Sequence, residues 1–185
     1  MVNHLQYETP SLCAGPLRVV IMGVAGCGKS AVGRLIAQQL CVPLVEGDEF
    51  HPPENIRKMQ RGIALTDADR AGWLRTLAIE LTRYPDGVVL TCSALRAAYR
   101  DSLRRAAPEL YFVHLAITEA QALLRVAQRA GHFYPASLVA SQFEALEDPS
   151  SEPSVLVLGS GSMEEQTSTA VEWLRGRSST RLGKN

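Results

Sequence analysis

The sequence predicts an α/β fold in which a five-stranded parallel sheet is covered by helices on both faces. Short apolar, β-branched runs recur along the chain, and most are followed by a stretch with helical spacing. Composition agrees: 185 residues, 46% hydrophobic and 21% charged, suit one globular domain rather than a disordered or membrane-embedded chain. Lys+Arg and Asp+Glu both total 19, which removes the electrostatic case for binding nucleic acid or a membrane surface. The start of the chain shows neither a basic segment nor a long apolar run, so no signal peptide is expected. Cys13, Cys27, Cys41 and Cys92 form no Cys-x-x-Cys pair, which favours a reducing, cytoplasmic setting.

Residues 1–16 have no period and read as a loose N-terminal arm, leaving 17–175 for the domain. Leu17–Met22 is a buried-strand run, and from Lys29 the residues Val32, Leu35, Ile36 and Leu40 fall at helical spacing. Leu44–Glu46 is a second strand, and Pro53–Gln60 a helix with proline in its first turn. Asp67 and Asp69 open the next helix, whose inner row of Trp73, Leu74, Leu77, Ala78 and Leu81 reads as core. Asp86-Gly87 turns into a third strand at 88–92, and a helix over 97–105 ends before Pro108. The fourth strand, 111–117, carries His114 as a satisfied structural histidine, and 119–129 is helical. Gly131 and Pro135 break the pattern, 137–146 resumes it, and Val155–Leu158 is the fifth strand. A closing helix over 163–175 carries Trp173, for packing or a subunit contact, and 176–185 is expected to be a loose tail.

The first strand runs into Gly23, Val24, Ala25, Gly26, Cys27, Gly28, Lys29 and Ser30, a full G-x-x-x-x-G-K-[ST] match between strand and helix. In such a loop, backbone N–H groups turn toward phosphate oxygens and the following helix adds its positive end. Lys29 would reach the β/γ-phosphates and Ser30 would ligate Mg²⁺. This predicts a nucleoside triphosphate as the bound ligand, in a P-loop NTPase three-layer sandwich. No Asn-Lys-x-Asp segment is present, which argues against a GTP switch. The third strand ends Thr91-Cys92-Ser93 with no acidic residue, which argues against a motor-type ATPase.

Glu46 and Asp48 lie two residues apart where the second strand ends, at the edge the loop occupies. Asp48 suits the base or orienter of an acceptor hydroxyl, and Glu46 a Mg²⁺-bound water. A pair of solvated loop carboxylates is the plain alternative.

With these residues in place, the sequence resembles the small gluconate kinases of the P-loop class, relatives of shikimate and adenylate kinases. The likeness is carried by the Gly23 to Ser30 loop, Gly47-Asp-Glu-Phe-His-Pro52, Asn55-Ile-Arg-Lys-Met59 and Asp67-Ala-Asp-Arg70. It continues in Trp73-Leu74, Cys92-Ser-Ala-Leu95, Tyr99-Arg-Asp101, Gly131-His-Phe133 and Gln142-Phe-Glu144. It implies ATP-dependent conversion of D-gluconate to 6-phosphogluconate by a cytoplasmic enzyme that is often a homodimer. Ala25 and Cys27 replace serines usual in that family's loop, and Glu46 stands where aspartate is common.

A sugar-acid site calls for a guanidinium to grip the carboxylate. Arg57 and Arg61, four apart on one helix, are candidates with Arg70 and Arg100; Arg57 backed by Arg100 is the expected pair. His51 would bond a substrate hydroxyl or fix the turn at Pro52-Pro53. Arg125 and Arg129 stand at the base of a helical lid expected over 129–146, suited to the charge of the moving phosphoryl group. His132 and Gln142 are further lid or acceptor-side candidates. Cys27, among loop N–H groups and beside Lys29, is expected either to be a reactive thiol or merely a small residue tolerated there. Two other readings stay open: a kinase for a different small hydroxy-acid or sugar, and a nucleotide-binding regulator without turnover.

Overall fold

A computed structural model describes residues 17–128 and 135–182. The first strand, β1 (Leu17–Met22), leads through the phosphate loop into α1 (Lys29–Leu40), and β2 (Leu44–Glu46) follows. A single 3₁₀ turn at Gly47–Phe50 then precedes α2 (Pro53–Gln60) and α3 (Asp67–Arg83). Beyond β3 (Gly87–Thr91) come α4 (Ala97–Ala106), β4 (Tyr111–Leu115) and α5 (Glu119–Ala127). A 3₁₀ turn at Ala136–Leu138, α6 (Val139–Ala145), β5 (Val155–Leu158) and α7 (Met163–Leu182) complete the order.

The strands form one sheet in the order β2-β3-β1-β4-β5, every pair parallel. Alternation along the strands divides the core in two. Val19, Ile21, Val89, Val113 and Leu115 face one side and pack with Val32 and Ile36 of α1 and Ala170, Val171 and Leu174 of α7. Val20, Met22, Val88, Leu90 and Phe112 face the other and pack with Trp73, Leu77 and Leu81 of α3 and Leu103 of α4. Capping boxes start α3 and α5: Thr66 with Asp69, and Thr118 with Gln121.

The predicted three-layer architecture and its strands are therefore present. The C-terminal boundary differs. Helix α7 runs on to Leu182, past the start of the expected loose tail at 176, and just before that point Arg175 Nη2 donates to the Gln39 carbonyl at 3.0 Å. Arg177 adds a contact over the Trp173 ring at 4.3 Å, and Trp173 meets Tyr111 edge-on. The 129–146 lid region also divides: 129–134 lie outside the described residues, whereas Val139 of α6 is fully buried in the core. The arm at 1–16 lies outside the described residues as well.

Gly47 sits where the sheet leaves no room. A Cβ there would lie 2.1 Å from the Thr91 carbonyl oxygen, which is backbone and cannot swing aside. Its N–H donates to Thr91 Oγ1 (3.2 Å), and its carbonyl accepts from Trp73 Nε1 (2.7 Å). Gly47→Ala must push residues 46–48 off β3. It should cost about 2–3 kcal/mol, in the range of overpacked cores, as read by urea unfolding.

Candidate active site

The carboxyl ends of β1, β2 and β3 meet at one edge, and a cavity of about 550 Å³ opens there. One wall is the phosphate loop from Ala25 to Ser30; Asp48, His51, Arg70, Arg125 and Gln142 also line it. Lys29 Nζ donates to the carbonyls of Gly23 and Val24, both at 3.0 Å, so its ammonium sits inside the curl of its own loop. The Ser30 hydroxyl donates to Glu46 Oε2 at 2.9 Å, leaving the lone pairs of Ser30 Oγ for a cation. Glu46 also accepts from Thr91 Oγ1 at 2.7 Å. These hard oxygen donors beside the loop fit Mg²⁺, which keeps several waters and needs few protein ligands.

Asp48 is presented by the 3₁₀ turn after β2. Trp73, read from sequence only as core, holds that turn through the indole bond to Gly47, and the His51 ring stacks on it at 4.2 Å and 16°. His51 Nε2 faces Asp48 Oδ1 at 4.0 Å, and its side chain is only 6% exposed. Burial is the main reason its pKa falls to about 4; Arg70 lowers it further and Asp48 opposes the shift. His51 is thus a neutral ring at the cavity wall. Thr91 is the residue that sequence reasoning missed. Its one available signal is register, since a strand order placing β3 beside β2 sets Thr91 opposite Glu46.

Several expected residues stand elsewhere. Arg100 is fully buried, and all of its nitrogens are occupied. Glu152 takes bonds from Nε and Nη2, the Ala94 and Leu95 carbonyls take Nη1, and the Glu147 carbonyl takes Nη2. With no donor left for a substrate, Arg100 is a structural clamp on the loop after β3 rather than a carboxylate grip. Arg57 is exposed and paired with Glu54 at 2.9 Å, and Arg61 is exposed too; neither lines the cavity. Arg70 does, with Nη1 donating to the Leu65 carbonyl. Gln142, a lid or acceptor-side candidate, lines the cavity with its Oε1 accepting the Ala25 N–H of the phosphate loop at 2.6 Å. Arg125 reaches the Gly26 carbonyl at 3.4 Å, whereas Arg129 and His132 lie outside the described residues.

The Cys27 thiol is turned inward. The residue is 2% exposed, and a Cβ on Gly23 would meet its sulfur at 2.9 Å, which favours the small tolerated residue over the reactive thiol. His114 is buried as expected, but its Nδ1 has no partner among the described residues, so it is not fully satisfied. Burial and then Arg100 lower its pKa, against Asp148.

Residues 19–153 match the family model described as an AAA domain. A gluconokinase of Gluconobacter oxydans (strain 621H) is 43% identical over 148 residues, covering 78% of this chain and 83% of that protein. The chain belongs to the gluconokinase family. The thermosensitive gluconokinase of Escherichia coli (strain K12) is 40% identical over 141 residues, 75% of each chain. Among solved structures, a gluconokinase from Sinorhizobium meliloti 1021 superposes with a TM-score of 0.82 at 43% identity, covering 90% of this chain and 96% of that one. The family's fold is that of a P-loop kinase, and the sheet and loop described above are its working parts.

The buried His51 makes stability depend on pH. Its folded pKa of about 4 lies below the ordinary 6.5, so between those values the unfolded chain binds a proton that the folded one refuses. The stabilisation is whole above pH 6.5 and lost as pH falls toward 4, on the order of 3 kcal/mol. Urea unfolding of His51→Gln should show a shallower decline across that window than wild type. Equal slopes would show that His51 does not titrate there.

Proposed function

We propose that the protein transfers the γ-phosphoryl group of MgATP to the primary hydroxyl of D-gluconate, giving 6-phospho-D-gluconate and ADP. The observation that carries this reading is the placement of Asp48 and Arg70 on the wall of the cavity that the phosphate loop also lines. An acceptor hydroxyl and a triphosphate held there share one cavity, as in-line transfer requires.

Each group has a distinct task. Loop N–H groups and Lys29 hold the β- and γ-phosphates. The Ser30 hydroxyl, with Glu46 acting through a water, would hold Mg²⁺, which neutralises charge on the phosphates. Asp48 accepts the hydroxyl proton as the oxygen attacks phosphorus and the bond to the β–γ bridging oxygen breaks. His51, neutral and stacked on Trp73, offers a ring nitrogen to a substrate hydroxyl beside that carboxylate. Arg70 replaces Arg57 and Arg100 as the grip for the gluconate carboxylate. Arg125, with Arg129, meets the charge on the transferring group. Cytoplasmic residence and a homodimeric state complete the reading.

Formation of 6-phosphogluconate from D-gluconate and MgATP tests it; ATP turnover that is indifferent to gluconate but stimulated by another sugar or hydroxy-acid would replace the substrate. Lys29→Ala and Asp48→Asn should each lower kcat by at least ~10². Arg70→Met should raise the KM for gluconate by ~10-fold or more while leaving that for ATP within about twofold, and Arg57→Ala should change neither.

A further inference from the structure

The carboxamide of Gln142 is oriented by the phosphate loop itself. Gln142 lies on α6, is 8% exposed and lines the cavity. A backbone N–H can donate only to the carbonyl end of an amide, so the 2.6 Å bond from Ala25 fixes which end is which. Nε2 is therefore the free end, and it donates to no group among the described residues. The next peptide is met from the other side, where Arg125 of α5 reaches the Gly26 carbonyl. A Cβ on Gly26 would lie 3.0 Å from the Ala122 carbonyl oxygen, so α5 also rests directly on this part of the loop.

This stretch of the loop is where the terminal phosphate belongs. Lys29, which serves the β/γ-phosphates in such loops, places its ammonium 3.0 Å from the carbonyls of Gly23 and Val24, the residues just before Ala25. The N–H of Ala25 is spent on Gln142 and is withdrawn from any phosphate. The same planar group returns two N–H donors on Nε2.

We propose that Gln142 is a catalytic residue that donates from Nε2 to an equatorial oxygen of the γ-phosphoryl group, its carboxamide held at the right rotation by Ala25. This rests on the ATP-dependent kinase reading but not on the identity of the acceptor. A donor oriented before the reaction begins costs no reorganisation when charge spreads over the equatorial oxygens. A neutral amide supplies that stabilisation without adding a further cation beside Lys29 and Arg125.

The test compares calorimetric affinities of the full-length protein for MgADP, which lacks the γ-phosphate, and for the Mg²⁺ complex of β,γ-imido ATP. Two variants are used. Gln142→Glu keeps an acceptor for Ala25 but removes the donor, and Gln142→Met removes both at similar volume. Both should lose ~10-fold or more in preference for the imido analogue over ADP, with ADP affinity within about threefold and kcat down by ~10-fold or more. Equal weakening toward both nucleotides would show that Gln142 only shapes the loop, and no change toward either would remove it from the site. A loss confined to the glutamate variant would be charge repulsion; both of those results and this one overturn the proposal. The calorimetric comparison contains no acceptor, so a wrong choice of sugar acid leaves the nucleotide preference untouched and shows itself only in kcat.

Discussion

The Thr91 hydroxyl joins two halves of the site that the chain order keeps apart. It donates to Glu46 and accepts from the Gly47 N–H, while Glu46 also accepts the hydrogen bond that the Ser30 hydroxyl donates. The end of β3 thus bridges the first turn of the helix after β1 and the turn that presents Asp48. At 3% exposure Thr91 has almost no access to water, so these bonds are made at low dielectric and hold their geometry. The rest of the cavity is arranged around that bridge: Trp73 pins Gly47 from the far side, and His51 lies on Trp73.

The arginines illustrate how one side chain serves opposite purposes. Lysine occurs only at positions 29, 58 and 184, so most fixed cations are guanidinium groups. At Arg100 burial demands a partner for every donor, and Glu152 with three backbone carbonyls supplies them. The clamp steadies the loop where Ala94 takes a left-handed φ of 45°, one residue after Ser93, whose carbonyl receives the Gly23 N–H. Arg70 has one backbone partner and a cavity in front of it, the condition in which a guanidinium can still be claimed by a ligand.

Much of this was legible in the sequence, for reasons that differ by residue. The loop from Gly23 to Ser30 and the strands were readable because strand, glycine-rich turn and helix impose local patterns. Glu46 and Asp48 followed from the rule that ligands gather at strand carboxyl ends. The arginines were not separable, because a motif match says that a guanidinium is needed without saying whether ligand or protein uses it. Helical spacing offered a hint: Arg100 lies three residues before Leu103, which is buried on the same face of α4. Gln142 and Thr91 act through contacts 117 and 45 residues away in sequence, distances over which no local pattern operates.

The strand order also governs how the chain reaches this state. β1 is sandwiched between β3 and β4, and its first contact, Leu17 with Gly87, closes a span of 70 residues. The nucleotide loop, although encoded near the beginning, has no sheet to stand on until those later strands arrive. Its supporting clamp waits longer still, for Glu152. During synthesis on the ribosome the early segments must therefore remain uncommitted, and binding competence comes to the whole domain in a late, collective step.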